Sequence, residues 1–442
     1  MNAVQEEAQP APDARPTRVR WLIFFLMLFM ITVNYVDRSA IGVAMPLIGK
    51  DFHWTPTIEG FVLSAFFWPY ALMQIPGGML ADRFGPRKVI SACIVVWGVF
   101  EALTGAAIGI VTMYIARLGL GAAEAPILPA GGKLNGIWMT RTERSRGATL
   151  MDSGGTLGTA IGALVVSALI GAFASWRAAF FVTGLATVAC VYLAWYYMRD
   201  KPHKHPRVNK AELELLAANA ALEAGMEGNV PSGSEPTSRK HWYQLFRYRT
   251  TWGLFFGWMS RSILFYGLMT WAPSYLEKAR GFDLKQMGGA IFIIFFAGFI
   301  GELIGGALAD FWRKRSSKQG TSIRVIIGVA AVIAAVATFL VTVTSDRYVA
   351  VALLSVTLFF LSMAGLFWTI PSMVGTRRSV GTVGGIMNLG SNLSGIVIPT
   401  VAGVILQLTG NFGDDFIMFA IGGVGLFICS VFVIDYEHKL PV

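Results

Sequence analysis

Four ionisable residues sit where a bilayer-spanning helix tolerates them least. Asp37 and Arg38 lie in the apolar block 21–45, and Arg117 and Glu124 in the block 111–133. A charge near the bilayer centre costs roughly 2.5–3.5 kcal/mol even on the lower, insertion-based scale, so such groups usually face an aqueous cavity and carry function. A guanidinium is always protonated and grips a carboxylate through two parallel hydrogen bonds, which makes Arg38 and Arg117 candidate binders of an anionic substrate. An acid in a low-dielectric site can take up and release a proton near neutral pH, which makes Asp37 and Glu124 candidate proton carriers. With the first helix running outward and the fourth inward, Asp37 and Arg117 lie ~12 Å and ~9 Å below the outer ends of their helices. Glu124 is two turns beyond Arg117 on the same face, ~10 Å deeper. The alternative is that Asp37 with Arg38, and Arg117 with Glu124, form permanent ion pairs along a cavity wall.

Other residues offer weaker signals. Tyr35 and Tyr70 can donate hydrogen bonds to a substrate or simply pack between helices. Asn388 and Asn392, one turn apart in a Gly-rich span, form a polar stripe that either touches substrate, chiefly through Asn388, or bonds a neighbouring helix. Trp368 can wall the site or serve only packing. Arg261 either contacts substrate or snorkels toward the cytoplasm. Asp152 is expected as a gate contact near the cytoplasmic end of its span. Glu101 and Glu302 are expected on helix surfaces or at a gate, with no assigned role.

The elements that must position these groups follow from composition. Of 442 residues, 55% are hydrophobic and 14% charged, too few charges to cover a soluble domain of this size. The apolar residues come in long blocks, and ~20 apolar helical residues cross a bilayer core of ~30 Å. Stretches such as 21–34 and 323–343 lack the alternation of barrel strands, so the spans read as helices. Twelve are expected, at 21–45, 57–80, 88–108, 111–133, 146–172 and 176–198, then 250–273, 284–309, 322–342, 348–372, 380–406 and 412–434. The expected organisation is an N-terminal tail 1–20, a six-helix bundle 21–198, a central loop 199–249, a second bundle 250–434 and a tail 435–442. The loop holds a helix-like run over 211–223.

The net charge of +10 does not point to nucleic acid, because the basic residues cluster in short loops between apolar blocks. One set of ends carries Arg83, Arg87, Lys88, Arg141, Arg144 and Arg146 among many others, while the opposite set holds only Lys50, Arg177, Lys278, Arg280, Lys285 and Arg347. That bias puts both termini and the central loop in the cytoplasm. The first apolar block is too long for the core of a cleavable signal and carries Asp37 and Arg38. Cys93, Cys190 and Cys429 all fall inside apolar blocks without disulfide or metal-site spacing.

The two halves echo each other. Gly78-Met-Leu-Ala-Asp82-Arg83-Phe-Gly85-Pro-Arg87-Lys88 follows the second span, and Gly306-Ala-Leu-Ala-Asp310-Phe-Trp-Arg313-Lys314-Arg315 follows the eighth. Parallel six-helix repeats place a binding site between them near the midplane. The first of these motifs resembles the signature loop of the major facilitator superfamily, and the layout extends that resemblance over essentially the whole chain. A narrower resemblance rests on Asn34-Tyr35-Val36-Asp37-Arg38, Gln74-Ile-Pro-Gly-Gly, Arg117-Leu-Gly-Leu-Gly-Ala-Ala-Glu124-Ala-Pro126 and Gly384-Gly-Ile-Met-Asn388-Leu-Gly-Ser-Asn392. These pieces are similar to the anion:cation symporter family of bacterial sugar-acid/proton symporters and vesicular glutamate transporters.

The resemblance implies an all-α major facilitator fold and proton-coupled import of a small organic carboxylate by alternating access. In that family the acids matching Asp37 and Glu124 are implicated in proton coupling, and the arginine matching Arg38 in carboxylate binding. A hexonate or hexarate is the expected cargo. Members carrying such cargo tend to have amides just after Glu-Ala-Pro and in the fifth helix, where this chain has Gly131-Gly132 and Ser153-Gly154-Gly155. Fewer polar groups leave a less hydroxylated acid, such as an aromatic one, as the alternative. Asp82, Arg83, Arg87, Asp310 and Arg313 read as a cytoplasmic gate, with Glu143, Arg144 and Arg146 completing the network, or else as loop charge that only sets topology.

Protons, the anion and membrane lipid are the expected partners of a monomeric protein in a bacterial inner membrane, without cofactor, metal or nucleic acid. A membrane enzyme is disfavoured: no P-loop, metal cluster or nucleophile–base pair stands out, and all five histidines fall outside the spans. A ligand sensor is the second alternative. A drug/proton efflux pump is the main rival within transport, and paired intramembrane arginines favour anions over cationic drugs.

Overall fold

The computed structural model describes residues 15–140, 143–228, 239–315, 319–375 and 380–440. Among these, the long helices are α1 Val19–Phe52, α2 Pro56–Phe84, α3 Pro86–Gly105, α4 Ile110–Trp138, α5 Arg146–Phe173, α6 Trp176–Tyr197, α7 Arg249–Lys278, α8 Leu284–Arg315, α9 Gln319–Val343, α10 Arg347–Val374, α11 Val380–Thr409 and α12 Phe412–Val433. All but α7 are long and apolar enough to cross a membrane. The exception, 30 residues long, carries Arg261 among several Thr, Ser and Trp residues, which lowers its hydropathy, and most of its length is buried. The expected run 211–223 lies inside a helix, Lys210–Gly228, between α6 and α7.

Proline sets several local departures from a straight helix. The first helix continues through Pro46, beyond its expected end at 45, because one missing backbone donor does not terminate a helix held by its neighbours. It stops at His53, whose left-handed backbone (φ 55°) donates its N–H to the Gly49 carbonyl. In α2 the ladder slips at Phe66, one residue after Ala65, the carbonyl that Pro69 cannot satisfy. In α4 it breaks at Ala125-Pro126, with Pro129 removing the donor for the Ala125 carbonyl. A 3₁₀ turn, Ala364–Thr369, interrupts α10. In the signature loop Gly85 adopts φ +89°, and Pro86 opens α3 immediately after it.

Packing repeats with an offset of six helices. Pairs α1–α5 and α3–α6 in the first half correspond to α7–α11 and α9–α12 in the second. Between the halves α5 packs on α8 and, by the same symmetry, α2 on α11, while α1 lies against α7. Side chains such as Leu72, Ile75 and Ile108 stay mostly exposed on the outer surface, as expected where lipid is the solvent.

Close approach of α1 to α5 depends on glycine. A Cβ at Gly154 would meet Ile31 at 3.0 Å, one at Gly155 the Tyr35 ring at 3.1 Å, and one at Gly158 the Tyr35 Cβ at 2.7 Å. Small residues at this spacing let helices pack backbone to backbone.

Candidate functional site

Arg38 of α1 and Glu124 of α4 form an ion pair, Nη2 to Oε2 2.9 Å, with side chains 1% and 0% exposed. Nε lies 3.3 Å from the same oxygen, and Nη2 also donates to Asn34 Oδ1 at 3.2 Å, one turn back on α1. Three rings surround the guanidinium: its carbon lies 4.4 Å from the Tyr35 centroid, 4.5 Å from Phe66 and 4.6 Å from Tyr70. Such faces stabilise a desolvated cation. Tyr266 of α7, packed on Phe67, lies within electrostatic reach of the guanidinium. Arg38 Nη1 and Glu124 Oε1 are both buried without a direct hydrogen-bond partner among the described residues.

Behind this pair, toward α3 and α6, lies a second cluster. Asp37 Oδ2 accepts from Trp97 Nε1 of α3 at 3.1 Å and from Thr187 Oγ1 of α6 at 2.6 Å. Arg117 Nη1 approaches Glu101 Oε2 of α3 at 3.8 Å, with both side chains essentially inaccessible. Neither of the ion pairs given as the alternative reading forms: Arg38 takes Glu124 rather than Asp37, and Arg117 takes Glu101. The reason is angular. Adjacent residues on a helix point about 100° apart, so Asp37 and Arg38 look toward different neighbours. Glu101, expected on a helix surface or at a gate, is instead fully buried against Arg117.

A cavity of about 240 Å³ opens at the Arg-rich end, lined by Asn135, Arg144, Asp152, Glu302, Trp368 and Thr369 among others. Trp368 therefore walls a cavity. Asp152 faces into that cavity, and Glu302, also expected at a surface or gate, is buried between α5 and α8. Arg261 is buried beneath Trp258 and Phe265, at 4.8 and 4.6 Å from their centroids, and its Nε has no hydrogen-bond partner among the described residues. Asn388 is half-buried and Asn392 buried on α11, where Ser391 bonds Ser262 of α7 at 2.7 Å.

The opposite end is sealed. Glu59 of α2 pairs with Lys278 of α7 at 3.1 Å, and Trp271 Nε1 donates to the Pro399 carbonyl at 3.1 Å. Gly60 abuts the Pro399 carbonyl and Gly403 the Pro56 carbonyl, so α2 and α11 touch backbone to backbone. Sequence reading missed Glu59, which stands four residues from Thr55 at the start of a helix and looks like an ordinary first-turn acid.

Of the residues read as a gate, Asp82 and Arg83 make contacts within the first half. Asp82 pairs with Lys133 of α4 at 3.0 Å. Arg83 lies over the Phe84 ring. The Arg87 guanidinium covers Trp195 at 4.1 Å, and its backbone N–H donates to Asp200 at 2.8 Å. Glu143 bonds Arg20 of α1 at 3.0 Å, which in turn holds Glu212 of the loop helix at 2.9 Å. Asp310 lines a second cavity of about 380 Å³ between the halves. The side chain of Arg313 lies outside the described residues, as do Arg141, Arg377 and Arg378.

Comparison with known proteins places these features in a family. Residues 27–399 match the profile of the Major Facilitator Superfamily. The chain is 34% identical to the "Probable sulfoacetate transporter SauU" of Cupriavidus necator, over 96% of this chain and 99% of that protein. It is 30% identical to a "Probable galactarate/D-glucarate transporter" of Escherichia coli, over 93% and 92%. A bacterial homolog of the human lysosomal transporter Spinster, solved inward-facing and unoccupied, superposes with a TM-score of 0.69 at 17% identity, covering 96% of this chain and 100% of that one; it bears on the fold alone. The chain thus belongs to the Major Facilitator Superfamily, a family of membrane transporters rather than enzymes.

Proposed function

We propose that this chain imports a small organic acid into a bacterial cell by proton symport, the bundles 21–198 and 250–434 rocking about a central site. The buried Arg38–Glu124 pair carries this reading, because one guanidinium and one carboxyl meet at 2.9 Å out of water, so that neutralising the acid frees the cation for a substrate carboxylate. The Arg-rich end is read as cytoplasmic, with both termini there and the protein in the inner membrane, so the cavity at that end corresponds to an inward-open state.

Protonation of Glu124 from the outer side removes the charge that occupies Arg38. A substrate carboxylate then takes the guanidinium, oriented by Asn34, Tyr35 and Tyr70. Asp37, anchored by Trp97 and Thr187, carries a second proton and responds to Arg117 through the charge cluster of α3 and α4. Closure of the outer end and opening of the inner one exposes the site to the less acidic cytoplasm. Loss of the proton restores the Arg38–Glu124 pair and expels the anion.

The relatives named for sulfoacetate and for galactarate/glucarate support an organic anion as cargo. Sugar acids remain the first candidate. A less hydroxylated acid is the second, favoured by Gly154 and Gly155, which abut Ile31 and Tyr35 and offer no amide to a polyol. Purified protein in liposomes tests the reading. Accumulation of a labelled acid should require an inward proton gradient and collapse with a protonophore; uptake indifferent to both removes proton coupling.

A further inference from the structure

Asp152 and Glu302 bring two carboxyl groups together from opposite halves. The helices that carry them, α5 and α8, touch toward the sealed end, where Gly288 packs on Ser167 and the Ala163 carbonyl. They still touch at Thr156, whose Oγ1 lies 3.5 Å from Glu302 Oε2. One turn further they part, and Ala148, Thr149 and Asp152 on one side and Glu302 and Gly306 on the other become walls of the cavity. The acid pair therefore stands at the fork, its carboxyls within hydrogen-bonding reach of each other.

The surroundings set the charge this pair can hold. Arg261 of α7 lies within electrostatic range of both acids; it is more than nine-tenths buried, and its Nε has no hydrogen-bond partner among the described residues. From α1 the Tyr35 phenol lies within electrostatic range of Asp152, from α10 come neutral Trp368 and Thr369, and Arg144 lines the cavity mouth. Two ionised acids against one arginine leave a net negative charge inside the membrane, at a cost of several kcal/mol. One added proton makes the cluster neutral and gives the two carboxyls a hydrogen bond to share, the arrangement that adjacent acids adopt when they cannot both ionise.

We propose that Asp152 and Glu302 form a further proton site of this transporter, distinct from Glu124 and Asp37, sharing one proton across the interface between its halves and exchanging it with the cavity during transport. The step is a proton moving from a cavity water onto a carboxylate oxygen and back, with no other bond changed. Rocking that spreads or closes the fork alters the separation of the two acids and so the hold on that proton. The role in transport rests on the symport reading above; the existence of the shared proton does not.

Infrared difference spectra of the full chain in lipid, recorded between mildly acidic and mildly alkaline buffer, test the site without any transport. The wild type should show a titrating carboxylic-acid C=O band that disappears in both Asp152→Asn and Glu302→Gln, because removing either acid leaves the other paired with Arg261 and ionised. The band should persist in Glu124→Gln. In liposomes both single variants should keep substrate counterflow while gradient-driven accumulation falls at least several-fold, and Glu302→Asp should restore part of it. A band retained at full intensity in either variant overturns the shared proton. Intact gradient-driven accumulation in both variants, or counterflow lost together with accumulation, overturns its role in coupling. A wild type that never accumulates acid under a proton gradient removes the symport reading, and the coupling role with it, while the infrared result still decides the site.

Discussion

Arg38 and Glu124, 86 positions apart in the chain, meet at 2.9 Å in a box of three aromatic rings at the boundary between the two halves of the protein. Both are inaccessible. Out of water the attraction between them is strong, so a change in the charge of Glu124 changes what Arg38 can bind.

Replacing Glu124 with Gln keeps an acceptor for Arg38 and removes the titratable charge. Gradient-driven accumulation should fall to near background while exchange across the membrane survives. Parallel accumulation and counterflow assays on the same liposomes check this; accumulation at the wild-type level would exclude Glu124 as a carrier.

Arg38→Lys keeps the charge but loses the planar fork and its fit among the rings. Substrate affinity should weaken at least about tenfold, the loss expected from one charge-assisted hydrogen bond. Arg38→Ala leaves Glu124 buried alone and should also lower stability by roughly 3–5 kcal/mol. Isothermal titration and thermal melts of purified protein separate the two effects.

Glu59 and Lys278 bridge α2 and α7 at the sealed end. Lys278→Met should bias the protein toward opening there. Alkylation of a cysteine introduced at Thr400, beside the Gly60 carbonyl, should then speed up relative to the same cysteine in the parent. Unchanged labelling would mean that the backbone contacts of Gly60 and Gly403 hold the seal alone.

Gly158 has no room for a side chain, since a Cβ would collide with the Thr32 carbonyl and the Tyr35 Cβ. Gly158→Leu should push α1 off α5 and cost more than about 3 kcal/mol by overpacking, at the upper end of such effects. Low yield of monodisperse protein and a depressed melting temperature are the expected readouts, with Gly132→Ala, which faces open space, as the tolerated control.

Outside the spans, burial of Glu143 opposes its ionisation, but bonds from Arg20 and Thr140 outweigh it and hold this carboxyl below its ordinary value of 4.5. A lowered folded pKa contributes stability that is present above the unfolded value and is lost as pH falls through the folded one. The melting temperature of wild type should therefore exceed that of Glu143→Gln at neutral pH. The gap should close on acidification below the ordinary glutamate range, and a gap that persists there would point to packing rather than charge.

The spans, the duplicated loop motif and the presence of Asp37, Arg38, Arg117 and Glu124 within spans were readable from the chain, because apolar length and intramembrane charge are local properties with large energies. Trp368 lines the cavity with Asp152 and Glu302, and the Tyr70 ring lies against Arg38. Helix ends were less legible: Pro46 ends no helix, and α10 carries a 3₁₀ turn that no residue pattern announces.

Partner choice was not readable at all. Whether Arg38 turns to Asp37 or to Glu124, whether Glu101 faces lipid or Arg117, and whether Asp152 meets Glu302 depend on helix rotation and on which glycines let backbones close up. Sequence alone determined that charged groups had to be enclosed between helices, since lipid offers them nothing. Only the tertiary structure decided which opposite charge each one meets, because that is fixed by side-chain direction around each helix axis, and a rotation of a third of a turn exchanges one neighbour for another.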